Sequence, residues 1–244
     1  MRLRLPLPYY VLFRAALSQE VAMDKKLMTQ ALTKLLMGFI FILFILFVPA
    51  GTLIFGQAWL LVGLLLLAVM TTGRILLIID PDLLALRLKA EGDEEERQTV
   101  GLLVFLLACA LALAGLNYRF SWYVLPGKVS CAGAVLFVLA YGFYMEVFRE
   151  NSFLSRTIEI QKGQKVIDTG LYRAVRHPMY LSVGMMSLAV PLILGSPWSL
   201  ILTLGYFPVI GCRIRCEEQV LAEKLEGYSD YMRKVRYRLI PFLW

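Results

Sequence analysis

The chain has 244 residues, of which 59% are hydrophobic and only 18% charged, and it carries a net charge of +7 at pH 7. That balance excludes an ordinary soluble domain and a disordered segment. One histidine and the cysteines Cys109, Cys131, Cys212 and Cys216, most in or beside apolar runs, make no metal-ligand set and read as structural thiols. No nucleic-acid-binding motif, GxGxxG or GxxxxGK[ST] is present, so the positive charge is assigned to topology and anionic headgroups.

Residues 1–30 carry charges together with Pro6 and Pro8 and read as an amphipathic N-terminal segment. The first long apolar run starts too late for a cleavable signal peptide. Apolar runs long enough to cross a bilayer follow at 35–55, 58–79, 99–117 and 128–148. A fifth block, 179–212, is broken by Pro191 and by Gly195-Ser196-Pro197, and it predicts a hairpin of two short helices. The fold class expected is therefore all-α: a polytopic membrane bundle of four spans plus a C-terminal helical hairpin, with a cytoplasmic cofactor pocket. A single domain, 1–244, would divide into the N-terminal segment, a transmembrane bundle over 31–148 and a catalytic half over 149–244.

Threaded this way, only Arg119 and Lys128 fall opposite the N-terminus and Arg74 lies inside a span. The other 22 of 25 Lys and Arg residues share the N-terminal side, which the positive-inside rule makes cytoplasmic. Both termini and the site are expected there.

Three polar segments gather on that side. In 80–98, Asp80-Pro81 ends a helix and Asp93-Glu94-Glu95-Glu96 reads as a solvated turn. In 149–178, Gln161 to Gly170 reads as extended, with turns at its glycines. Pro178 suits the first turn of a helix, which puts His177 at its N-cap and leaves backbone N–H groups facing outward, a ready anion site. The alternative is a basic loop whose Arg173 and Arg176 touch lipid phosphates, with His177 merely capping. In 213–244, an amphipathic helix precedes a basic, aromatic tail, and Arg213, Glu217 and Val220 share a helical face. That pair is either an ordinary surface salt bridge or, so close to hydrocarbon, part of a site.

In order, Gly170-x-Tyr172, Arg176-His177-Pro178-Met179-Tyr180, a hydrophobic hairpin, Arg213 with Glu217-Glu218, and Gly227-Tyr228-x-x-Tyr231 resemble the isoprenylcysteine carboxyl methyltransferases. The related phospholipid N-methyltransferases share this C-terminal half, and the resemblance covers roughly 140–244. It implies S-adenosylmethionine as cofactor, in a cytoplasm-facing pocket. It also implies that Gln161, Gln164, Lys165, Val166, Ile167, Tyr172, His177, Pro178, Met179, Tyr180 and Glu217 bind the cofactor, the residues from Gln161 to Ile167 on a strand preceding the motif. Arg213 would bind the substrate and, with Glu217, serve catalysis.

Methyl transfer suits these residue types. A sulfonium cation favours a carboxylate or aromatic faces, and a carboxylate acceptor needs no general base. An aligned acceptor gripped by Arg213 would then supply most of the rate. The function expected is transfer to a lipophilic acceptor, foremost the carboxylate of a prenylcysteine-like substrate, among membrane lipids and without metal or nucleic acid. The alternatives are a phospholipid amine N-methyltransferase, an NADPH-dependent sterol reductase-like enzyme, whose family also carries an arginine-(His)-Pro-x-Tyr element, and a membrane scaffold. In sterol reductases a small residue and an acid usually follow the tyrosine, where this chain has Leu181-Ser182-Val183.

Overall fold

The computed structural model describes residues 7–79, 84, 94–151, 153 and 163–244, with side chains from residue 28 onward except at 78, 79 and 95. Two compact units are present, 1–40 and 41–244. The first contains the N-terminal part of the first helix, α1 (Leu7–Ala50). The second contains the rest of the chain. Its helices are α2 (Gly56–Ile79), α3 (Glu94–Phe120), α4 (Gly127–Glu150), α5 (Pro178–Ile193), α6 (Pro197–Leu204), α7 (Tyr206–Lys224) and the short α8 (Tyr228–Lys234), with a 3-10 turn at Gly170–Arg173 before α5. No strand occurs among the described residues, and five helical stretches are long and apolar enough to cross a membrane. The all-α membrane architecture is as expected.

Helix ends follow the local chemistry. α1 stops where Gly51 takes a left-handed conformation (φ 68°), its N–H bonded back to the Phe47 carbonyl. α5 opens on Pro178, which has no N–H to leave unpaired there. Ser196 caps α6 by accepting from the Ser199 N–H.

The hairpin differs from the expected pair of equal limbs. α5 has 16 residues, whereas α6 and α7 are separated by Gly205 alone and together form one span, Pro197–Lys224. Arg213, Glu217 and Glu218 therefore lie on the last turns of a span rather than on a separate amphipathic helix. Isoleucine, arginine, cysteine and glutamate at 214–218 carry no breaker, so the helix has no reason to stop at the edge of the apolar run.

Packing in lipid rests on close backbone approach through small residues rather than on hydrophobic driving force. α4 packs most extensively on α5. A Cβ built at Gly133 would stand 2.8 Å from the Ile193 nitrogen and from Leu192 Cβ, so this crossing requires glycine. Leu46, Phe55, Leu61, Ala114, Phe137 and Ile193 form the core. Hydroxyls tie the helices within the apolar stretches: buried Ser199 Oγ donates to the Ala110 carbonyl (2.8 Å) and half-buried Tyr141 Oη to the Ala68 carbonyl (3.0 Å). Outward-facing Leu67, Phe105 and Val135 remain at least 60% exposed, an apolar surface suited to lipid.

Candidate functional site

The site lies where the start of α3, the start of α5, the end of α7 and the C-terminal tail converge. The tail runs beside the turn before α5. The Arg176 and His177 N–H groups donate to the carbonyls of Tyr237 and Arg238, each at 2.9 Å. The Trp244 carbonyl in turn accepts from the N–H groups of Arg238, Leu239 and Ile240, which curls the tail back on itself.

Glu218 is the hub of this junction. Its Oε1 accepts from Arg176 Nε (2.6 Å) and lies 3.3 Å from His177 Nε2, and its Oε2 accepts from Arg238 Nε (2.7 Å). Arg176 Nη1 adds bonds to the carbonyls of Val235 (2.8 Å) and Arg236 (3.2 Å). Glu218, Arg176 and His177 are all buried. A buried charge is tolerated when its partners and hydrogen bonds are complete, and here they are. The lipid-facing alternative for Arg176 is thus excluded. His177 does occupy the N-cap, but its ring makes no capping bond and turns to Glu218 instead.

The neighbouring glutamate is placed differently. Tyr180 Oη donates to Glu217 Oε2 (2.7 Å) and accepts from Arg213 Nε (2.9 Å). Arg213 and Glu217 are thus joined through the Tyr180 phenol. Arg213 Nη2 lies 3.8 Å from Glu96 Oε1, and the Glu96 side chain is only 9% exposed. Glu96 therefore leaves the solvated turn expected for the acidic run. It sits in the first turn of α3, where the helix dipole favours a carboxylate, and Arg213 comes to it from α7. Tyr206 Oη donates to the Tyr180 carbonyl (2.9 Å) and fixes the opening turn of α5.

A buried aromatic cluster adjoins this chain of groups. Tyr172, Tyr228 and Tyr231 are buried together, with Val166, Ile167 and Met179 packed against them, and Met179 also packs in the cluster that holds Tyr180. Asn151 Nδ2 donates to Tyr172 Oη (2.9 Å), and Tyr231 Oη donates to the Tyr172 carbonyl (2.7 Å). Burial pushes the Tyr172 phenol up to about 12, opposed by the Asn151 bond and reinforced by the carboxylates of Glu217 and Glu150. Burial likewise raises the phenols of Tyr228 and Tyr231, so all three stay protonated at neutral pH. Glycine suits position 170 at the mouth of the 3-10 turn. Its φ is +49°, and a side chain there would collide with the Glu150 carboxylate, which accepts from the Leu171 N–H (2.9 Å).

Of the residues expected at the site, Val166, Ile167, Tyr172, His177, Pro178, Met179, Tyr180, Arg213 and Glu217 come together, either in these clusters or through these bonds. Gln164 is half-buried and Lys165 exposed, and both lie in a stretch, 164–168, without regular structure, where a strand was expected. Polar Gln164, Lys165 and Asp168 have no neighbouring strand to pair with among the described residues. Gln161 lies outside the described residues. Sequence reasoning missed the hub role of Glu218, and it missed Glu96 and Arg238 altogether. The one signal for Glu218 was its place beside Glu217, with arginines in both neighbouring segments.

The stretch from the start of α4 to the residue before α8 contains the 3-10 turn, the Arg176-His177-Pro178 corner, the hairpin and both glutamates. Residues 129–227 match the family model of phospholipid methyltransferases, and with five helical stretches able to cross a membrane that match supports an integral-membrane methyltransferase.

Proposed function

We propose that the chain transfers a methyl group from S-adenosylmethionine to a lipophilic acceptor. The observation that carries this reading is the contrast between two adjacent glutamates. Glu218 is satisfied by two arginines and the His177 ring, whereas half-buried Glu217 makes no ion pair among the described residues and accepts from a neutral phenol. A carboxylate so placed, bonded to the Tyr180 phenol whose ring centroid lies 5.8 Å from that of His177, favours a cationic ligand. The residues present therefore fit a sulfonium. Glu217, Tyr180, Tyr172, His177 and Met179 would hold the cofactor, with Val166 and Ile167 packing against it. When bound, S-adenosylmethionine supplies an electrophilic methyl group on a positively charged sulfur.

The protein's own part is to position and desolvate. Tyr180 orients Glu217 and Arg213 at once, because one phenol oxygen donates to the first and accepts from the second. Arg213 is held at Nε by Tyr180, with Nη2 3.8 Å from Glu96 Oε1, and its planar guanidinium is the group that would grip an acceptor carboxylate. On this reading the acceptor is the carboxylate of a prenylcysteine-like molecule that enters from the bilayer.

A second reading, an amine of a phospholipid headgroup, is favoured by the buried Glu96 and by the family match. Two carboxylates, Glu96 and Glu217, adjoin the Arg213–Tyr180 pair, and either could take the proton that an amine must lose. Transfer of a labelled methyl group decides between them, with farnesylated N-acetylcysteine and phosphatidylethanolamine vesicles offered separately. Base-labile label on the first supports the carboxylate, and base-stable label on the second supports the amine. Label on neither, with a membrane lipid extract also inert, rejects both.

A further inference from the structure

We propose that Tyr228 is a further cofactor-binding residue, its buried phenol donating a hydrogen bond to an oxygen or nitrogen of the S-adenosyl ligand. The proposal rests on the methyl-donor reading above and adds a contact from the part of the aromatic cluster furthest along the chain. Tyr228 is 5% exposed, and its Oη has no hydrogen-bond partner among the described residues. Its neighbour in the same cluster, Tyr231, bonds the Tyr172 carbonyl. Burying a hydroxyl without a partner costs stability, and phenylalanine would fill the same volume without that cost. The hydroxyl therefore fits a partner from outside the protein.

Its surroundings say which partner. The ring stands 5.7 Å from that of Tyr231 in the buried cluster that also holds Tyr172, and Val166, Ile167 and Met179, which would help enclose the cofactor, pack against that cluster. The carboxylates of Glu218 and Glu217 and the guanidinium of Arg176 all act on the phenol electrostatically, Glu218 most strongly, so it lies on the side of the cluster towards the two glutamates. Gly227, left-handed at φ 83°, turns the chain into α8 and aims Tyr228 inward. Burial keeps the phenol protonated at neutral pH, which makes it a donor.

Tyr228→Phe in the detergent-solubilised full chain tests this, with S-adenosylhomocysteine as the calorimetric probe. Affinity should fall roughly tenfold, the loss of about one hydrogen bond, while the melting temperature without ligand stays the same or rises. Tyr231→Phe, which breaks a bond inside the protein, should lower that melting temperature. Unchanged affinity in Tyr228→Phe overturns the proposal, and so does a ligand-free melting temperature lowered as in Tyr231→Phe. Failure of the unmodified protein to bind S-adenosylhomocysteine overturns the methyl-donor reading itself, and this proposal with it.

Discussion

Successive residues on a helix point about 100° apart, and at the end of α7 that rotation sends Glu217 and Glu218 to different work. Glu218 faces the corner before α5 and the tail, while Glu217 faces Tyr180. Arg213, one turn earlier, reaches the same phenol and Glu96. If Arg213 grips the acceptor, Arg213→Lys keeps the charge but loses the planar fork. Turnover should then drop on the order of 10²-fold, as for a reacting group misplaced by about 1 Å, with S-adenosylhomocysteine affinity nearly unchanged by calorimetry. Equal loss of binding and turnover would instead make Arg213 a support for Tyr180 and Glu217. Glu217 was legible at this scale because residues four apart share a helical face. Glu96 was not: in a run of four acidic residues nothing local marks the one that turns inward, and its partner stands more than a hundred residues away.

At the scale of elements, the α5–α7 hairpin and the tail form one unit because Glu218 joins them. Glu218→Gln would leave the buried Arg176 guanidinium without a full counter-charge, which costs about 3–5 kcal/mol. The melting temperature should fall by on the order of 10 °C, and limited proteolysis should cut first in the tail after residue 234. Replacing both partners with apolar residues, Arg176→Met with Glu218→Leu, should recover part of that stability. A Glu218→Gln protein as stable as the parent would remove the hub from this account. The limits of sequence reading are plain in the same unit. Pro178 announces the start of α5, since proline suits a first helical turn and little else nearby. The apolar run to Cys212 conceals that α7 continues to Lys224, because hydropathy marks where lipid ends and not where a helix ends. The backbone pairing of Arg176 and His177 with Tyr237 and Arg238 depends on segments some sixty residues apart and leaves no periodic trace.

Across the whole molecule, outward apolar side chains and one-sided charge agree on a bundle in lipid with a polar junction at one end. Charged Glu96, Arg213 and Glu218 stand at that end, and the α3–α4 turn, with Trp122 and Lys128, stands at the other, where the Leu125 N–H bonds the Gly195 carbonyl (3.0 Å). From the positive-inside rule we propose that the junction faces the cytoplasm. In a background with the native cysteines replaced, Lys165→Cys in intact cells should resist an impermeant thiol reagent and Lys128→Cys should label, both positions being exposed. The reverse pattern would move the junction to the outer face. The central claim is that Glu217 at this junction receives a sulfonium cofactor, and calorimetry on the full chain in detergent tests it most directly. S-adenosylmethionine should bind the parent protein and bind Glu217→Gln roughly tenfold or more weakly, at about 1.4 kcal/mol per decade, whereas NADPH should bind neither. Equal affinity of the two proteins for S-adenosylmethionine, or binding of NADPH in its place, would contradict the account.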